Sequence, residues 1–297
     1  MMPPLSILGA SALCFPIAES AARVDEAFEP LWAGRFRKIG HFIKLALAGA
    51  GLAVRHAGLT QLPARRTGVF LGTGLGNLSD LLPFADSLYD GSIPSPTQFA
   101  NSVGNSGAFY IAQAYALEGP VLAISQEEVS FEAAVVNARL LLYAEEIDFA
   151  LVGGIDVYMP PLGDHLARLG HDPKHEAALA LADGVGFWVL SREVGEKSVA
   201  RLLEASVGGG DPEATLARLD GPSQSLFVGE RLRGREAPLR AKLGATLVPR
   251  CPGTFLTESA VTAGAFVTGV APSGALYHSV AATREGVLGA LTVRRAR

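Results

Sequence analysis

Residues 129–146, VSFEAAVVNARLLLYAEE, carry the decisive pattern. Wound into a helix, Val129, Phe131, Val135, Val136, Leu140, Leu141 and Leu142 point in nearly every direction. A helix on the outside of a protein needs one apolar face, whereas a helix apolar all round must be covered all round. This one belongs between two sheets. The layers expected around it run helix, sheet, buried helix, sheet, helix.

Short aliphatic runs bounded by Gly, Pro or charge mark the strands of those sheets. In the first part of the chain they fall at 5–9, 67–71, 121–124, 149–152 and 186–190, with helical stretches at 37–57, 101–117 and 129–146. The second part repeats the order in fewer residues. Its strands are expected at 201–207, 225–228, 245–248, 275–280 and 290–293, and its helices at 212–219, 230–243 and 257–270. Each half thus reads β-α-β-α-β-α-β-β, and a polar connector, Arg192-Glu193-Val194-Gly195-Glu196-Lys197-Ser198, separates them. A duplicated unit ending in two strands narrows the choice of α/β folds.

Composition agrees. The 297 residues are 49% hydrophobic and 18% charged, against about 25% charged in an average protein, as expected where elements are buried on both faces. A net charge of −4 offers no basic footprint for nucleic acid or an anionic membrane. Two cysteines, Cys14 and Cys251, fit neither a disulfide framework nor a zinc site, and a reducing cytoplasm is the natural expectation. The first ten residues, MMPPLSILGA, lack the basic start of a signal peptide and read as a first strand. No Asp, Glu, Lys or Arg lies between Glu258 and Arg284, but Pro272-Ser273-Gly274 divides that stretch. It reads as a buried helix, a turn and a buried strand, not as a membrane span.

The order and spacing of several motifs resemble the β-ketoacyl synthases of the thiolase fold. Gly72-Thr73-Gly74-Leu75-Gly76 is similar to that family's glycine-rich turn after the second strand. Ser95-Pro96-Thr97-Gln98-Phe99 and residues 101–105 resemble the lead into the next helix, and Gly119-Pro120 with residues 121–125 the strand before the nucleophile. Leu151-Val152-Gly153-Gly154-Ile155-Asp156 and residues 182–190 (ADGVGFWVL) resemble the two strands closing the first half. The resemblance implies a five-layer αβαβα fold spanning residues 1–297 as one thiolase-like domain. Its halves would be 1–193 and a shortened 199–297, each βαβαβαββ.

In active members of that family, a cysteine opens the buried helix. Counted from Gly119-Pro120, its place falls on Glu128. A carboxylate is a poor acyl acceptor, because the mixed anhydride is more reactive than the thioester that would form it. Structurally, Ser125-x-x-Glu128 reads as a capping box, with the carboxylate at the positive end of the helix dipole. The family's two histidines would fall near Gly229 or Glu230 and at Thr254, its lysine near Pro249 or Arg250, and its gating loop at 281–286. None of these residue types is present there. Without the histidines, malonyl decarboxylation has nothing to stabilise its enolate, and no catalytic residue is assigned.

Other constellations are thin. Cys251 with His278 suggests a nucleophile and base, but also two core residues. His165, His171 and His175 match no standard metal spacing, and residues 72–76 carry no phosphate-binding lysine. No metal and no cofactor is expected.

What the resemblance then implies is a chain-length factor: an inactive, cytoplasmic relative that pairs with a catalytic β-ketoacyl synthase. The heterodimer would act on substrates carried by acyl carrier protein, as in type II polyketide and fatty acid synthesis. This chain is similar to the compact factors of aryl-polyene-like pathways. Asn77, Leu78, Leu81, Leu82 and Phe84, in the segment after the glycine-rich turn, are the tunnel candidates, and Asn101 and Phe109 would lie near the dimer seam. Ordinary core or interface packing explains the same residues. The alternatives are a homodimeric pseudoenzyme scaffold, an acyl-binding protein, and a malonyl decarboxylase.

Overall fold

The computed structural model describes residues 2–91, 93–158, 182–193, 195–211, 215, 225–247, 257–269 and 272–296. Among these, ten strands form one sheet: β1 (Leu5–Pro16), β2 (Thr67–Gly72), β3 (Val121–Ile124), β4 (Phe149–Asp156), β5 (Ala182–Ser191), β6 (Ala200–Gly209), β7 (Ser225–Val228), β8 (Thr246–Leu247), β9 (Leu276–Ala282) and β10 (Val287–Arg295). Their order is β3-β2-β4-β5-β1-β6-β10-β9-β7-β8. The first five read outward from the centre as β1, β5, β4, β2, β3, and the second five as β6, β10, β9, β7, β8, each strand five places further on. Parallel and antiparallel pairings repeat as well. The duplication expected from the strand pattern is therefore present in the topology. The half-sheets are not separate, since residues 5–7 of β1 pair antiparallel with residues 200–202 of β6.

Two helices fill the space between the half-sheets. Helix α6 (Ser130–Tyr143) packs on β2 and β4 on one side and on β6 on the other. Its counterpart α8 (Glu258–Thr268) packs on β1 and β5 and on β9. Glycine permits the close approach: a Cβ at Gly72 of β2 would sit 2.4 Å from the Ser130 carbonyl oxygen at the start of α6, and one at Gly186 of β5 would sit 2.1 Å from the Ala260 oxygen of α8. The core around these helices joins Phe70, Phe131, Trp188, Phe227, Tyr277 and Leu291 from both halves.

Outside the first half-sheet lie α1 (Ile17–Trp32), α2 (His41–His56) and α5 (Ser106–Ala114), and a second core fills that gap. Helix α2 buries Phe42, Ile43, Leu45 and Leu47 completely, each worth about 1.5–3 kcal/mol relative to exposure. On the far side, α7 (Glu236–Leu243) lays Leu239 over Leu226, Val228 and Val280. The layers are thus helix, sheet, helix, sheet, helix. Two further helices, α3 (Leu78–Tyr89) and α4 (Pro96–Ser102), lead into α5.

Four details depart from expectation. The helix expected at 230–243 opens as a 3-10 segment over 230–235 and is α-helical only over 236–243, while the helix expected at 212–219 lies, residue 215 apart, outside the described residues. The helix expected at 101–117 is divided between α4 and α5 at Val103–Asn105. Helix α1 is an element the periodicity did not single out; it carries Pro30 inside and buries only Ser20, Val24, Phe28 and Trp32. Cys14, in β1, is disulfide-bonded, against the expectation that the two cysteines build no disulfide framework. The stretch 258–284 does divide into α8, a turn at 272–274 and β9. Among the described residues, no helix is long and apolar enough to cross a membrane.

Candidate functional site

Strand β3 ends at Ile124, and a single 3-10 turn, Glu127–Val129, precedes α6. Glu127 adopts the left-handed conformation (φ +48°), a backbone state costing about 1–2 kcal/mol for a residue with a Cβ. Its carboxylate accepts the Arg284 backbone N–H at 2.8 Å, tying the turn to the β9–β10 hairpin. The expected capping box does not form. Ser125 donates instead to the Gly74 carbonyl at 3.4 Å, and Ser130 accepts the Gln126 N–H at 2.8 Å while donating to the Glu127 oxygen at 2.6 Å.

Glu128 turns inward. It is 4% exposed, and its Oε1 lies 3.1 Å from Nε of Arg231, with Glu127 Oε2 3.8 Å from the same nitrogen. Arg231 sits in the 3-10 segment Glu230–Arg235 after β7, beside the positions Gly229 and Glu230 where a histidine was sought. A cation from the second half thus takes the carboxylate that the first half alone would direct at its own backbone. Burial pushes the Glu128 carboxyl up to about 7, and the Arg231 charge opposes that rise.

A cavity of about 10 Å³, room for one water, lies between Glu128, Gly229, Glu230, Glu258, Ser259 and Ala281. Three carboxylates face it, so it disfavours an enolate or thiolate. It can hold a proton or a water molecule and leaves no space for an acyl chain. One turn along α6, Glu132 is fully buried, accepts the Ser279 hydroxyl at 3.2 Å and is pushed by burial to about 7. His278 donates or accepts through Nδ1 at 2.9 Å to Thr292, and burial lowers its imidazole to about 4. It is a core residue on β9. Glu132 and Arg231 were not singled out in the sequence; for Glu132 the available signal was a single charge inside the apolar run 129–136. Cys251, Thr254, His165, His171 and His175 lie outside the described residues.

The other candidates separate into an interior and an exterior set. Asn77 is buried, donating to Asp80 at 2.8 Å and to the Asn101 carbonyl at 2.7 Å, and accepting from Ser79. Asn101 is buried as well, bonded to the Lys38 carbonyl at 2.8 Å and to Tyr110 at 3.2 Å. Both bolt α3 and α4 to the body. Helix α3 itself buries no side chain. Leu81 and Leu82 are exposed and Tyr89 is 91% exposed, while Leu78 and Phe84 are half-buried, the latter against Phe99 with ring centres 5.5 Å apart. Phe109 is 53% exposed. Beside them β3 is, among the described residues, an edge strand of the sheet, and its Leu122 is 39% exposed. An open groove of about 510 Å³ runs along this edge, between Val121–Ser125 and a wall that includes Thr73, Gly76 and Gly104.

Solved structures share this architecture. "The ishigamide ketosynthase/chain length factor" matches with a TM-score of 0.78 at 20% identity, covering 100% of both chains. "AntDE:AntF (apo): type II PKS acyl-carrier protein in complex with its ketosynthase bound to the hexaketide" matches with a TM-score of 0.75 at 14% identity over 99% of this chain and 100% of the other. A β-ketoacyl synthase from Burkholderia phymatum gives 0.74 at 15% identity, with full coverage of both chains. At these identities the likeness is one of fold. No curated protein matches in sequence. The family model "Beta-ketoacyl synthase, N-terminal domain" matches residues 15–193, more than half of the chain. With the duplicated topology and the enclosed central helices, that match establishes that the chain belongs to the β-ketoacyl synthase family.

Proposed function

We propose that this chain is a non-catalytic subunit of the chain-length-factor kind, pairing with an active ketosynthase and shaping the path of the growing acyl chain. One observation supports the reading: at the position counted from Gly119-Pro120 as the nucleophile's stands Glu128, buried and paired with Arg231, while the neighbouring face of α3, α5 and β3 displays apolar side chains to solvent. Enclosed carboxylates cannot accept an acyl group. Exposed Leu81, Leu82, Phe109 and Leu122 form the sort of face that another chain covers. Two of the structural neighbours are themselves described as ketosynthase/chain length factor assemblies or as a ketosynthase with its carrier protein.

On this reading residues 1–193 and 199–297 act as one unit, and Leu78, Leu81, Leu82 and Phe84 contribute to the wall that the acyl chain meets. Carrier-protein-bound intermediates reach the complex through the catalytic partner. A cytoplasmic location belongs to the same reading; the disulfide at Cys14 is unusual for a reducing compartment, so the redox state of Cys14 in freshly isolated protein tests that part.

Co-expression with ketosynthases of the same genome, followed by size-exclusion chromatography with light scattering, tests the proposal. A 1:1 complex that condenses malonyl- and acyl-carrier protein, with neither subunit active alone, is the expected result. Condensation by this chain alone, or a homodimer that ignores every ketosynthase, would overturn it. The latter outcome would favour a scaffold or acyl-binding role.

A further inference from the structure

The side chain at the end of β4 reaches the turn after β2. Asp156 is 3% exposed. Its Oδ1 accepts the Thr73 hydroxyl at 2.8 Å and the Leu75 N–H at 2.9 Å, and its Oδ2 accepts the Gly74 N–H at 3.1 Å. Thr73 Oγ1 in turn accepts the Gly76 N–H at 2.9 Å, and the Thr73 N–H donates to the Ile124 carbonyl of β3 at 3.0 Å. Every N–H from Thr73 to Gly76 is therefore satisfied, and one carboxylate supports three of the four, two directly and one through Thr73. The turn has no hydrophobic anchor of its own. Its residues are small or half-exposed, and Gly76 lies at φ +70°. Thr73 and Gly76 also form part of one wall of the groove along the β3 edge.

We propose that Asp156 is the positioning residue of the β3-edge groove, holding the turn Thr73–Gly76 in the shape that a docked subunit meets. The docking clause rests on the function proposed above; the hold on the turn does not. A fully buried carboxylate is costly unless its oxygens are hydrogen-bonded. Burial raises the Asp156 carboxyl to about 6 against the pull of its three donors. Such a group is retained where the backbone it organises has no other acceptor, and that holds for Gly74 and Leu75.

The test is amide hydrogen exchange on the full chain, with ketosynthase affinity as a second arm. Asp156→Asn places an amide NH₂ among donors. It is expected to speed exchange at Gly74, Leu75 and Gly76 by about tenfold or more, the loss of charge-assisted hydrogen bonds, while α6 and β1 keep their protection. Thr73→Val should speed exchange at Gly76, and Thr73→Ser, which keeps the hydroxyl, should restore it. The serine–valine contrast keeps the proposal testable if the Asp156 variant fails to fold. Ketosynthase affinity should fall about tenfold in the first two variants and recover in the third. Unchanged exchange in the turn would overturn the proposal, as would faster exchange with unchanged affinity. A wild-type chain that binds no ketosynthase would fail the functional reading and its docking clause, while exchange on the chain alone still decides whether Asp156 holds the turn.

Discussion

Leu122 and Glu128 stand six residues apart, and the structure treats them in opposite ways. Leu122, apolar, is 39% exposed on the edge of the sheet; Glu128, charged, is 4% exposed at the start of the central helix. Ordinary partition would reverse them. The difference separates what the chain completes by itself from what it leaves open. Glu128 is enclosed with a cation from the chain's own second half. Leu122 lies on a strand whose outer edge no other strand covers among the described residues. On the proposed function, the closed centre belongs to folding and the open edge to association.

The largest expected effect breaks the comparison at its open end. Leu122→Asp places a charge on the exposed edge and should weaken binding to a ketosynthase partner by about 100-fold or more, since a desolvated charge at an interface core costs over 2 kcal/mol. Thermal unfolding of the isolated chain should barely change. Equal losses of stability and affinity would mean that the edge is part of this chain's own core. Titration calorimetry beside thermal denaturation distinguishes the two.

The closed end is broken by Arg231→Ala, which strands the Glu128 carboxylate. The expected cost is about 3 kcal/mol at pH 8 by chemical denaturation. It should shrink toward pH 5, because a Glu128 carboxyl already raised to about 7 takes a proton instead of remaining an unpaired charge. Glu128→Cys should restore no condensation activity, because Glu230 and Glu258 line the same cavity and their carboxylates repel a thiolate and an enolate that a histidine would stabilise.

Glu132→Gln sharpens the comparison from within. The carboxyl is raised from 4.5 to about 7, so the folded state holds its proton more tightly than the unfolded chain. Its contribution to stability is therefore greatest below pH 4.5 and is lost as pH rises to about 7. At about 1.4 kcal/mol per pH unit the penalty has a ceiling of about 3 kcal/mol. The glutamine variant should be the more stable protein at pH 8 and show a flatter stability profile between pH 5 and 7. A variant less stable than wild type at pH 8 would reveal an ionised Glu132 held by its hydrogen bonds.

The smallest expected effect is at Phe84→Ala. The ring is half-buried with one aromatic neighbour, Phe99, so the isolated chain should lose about 1 kcal/mol. In a complex with an active ketosynthase the same change should lengthen the product, read by mass spectrometry of the released acyl chains. An unchanged product would remove Phe84 from the tunnel wall.

Much of the architecture was legible because it rests on local periodicity. The all-round apolar pattern of residues 129–146 predicts a helix covered on every side; α6 does pack between β2 and β4 on one side and β6 on the other, but Leu140 remains 48% exposed. Strands β3 and β7 fall at 121–124 and 225–228 as the aliphatic runs indicate. Helix α1 escaped because Pro30 and a sparse apolar stripe blur its period. The site was less legible. Its position could be counted from Gly119-Pro120, but the role of Glu128 could not, because a capping box and a buried ion pair leave the same residues in the same local spacing.

Residue order alone carried the helix and strand periods and the duplication of the halves, and it led to the expectation that the family's catalytic cysteine, histidines and lysine are missing. Those properties reside in residue type and short-range order. The three-dimensional packing was needed to show that Glu128 meets Arg231, that Asp156 accepts from the turn after β2, and that no side chain of α3 is fully buried. Each depends on segments far apart in the chain, and contacts of that kind follow from sheet order and layer packing. Composition and spacing do not encode them.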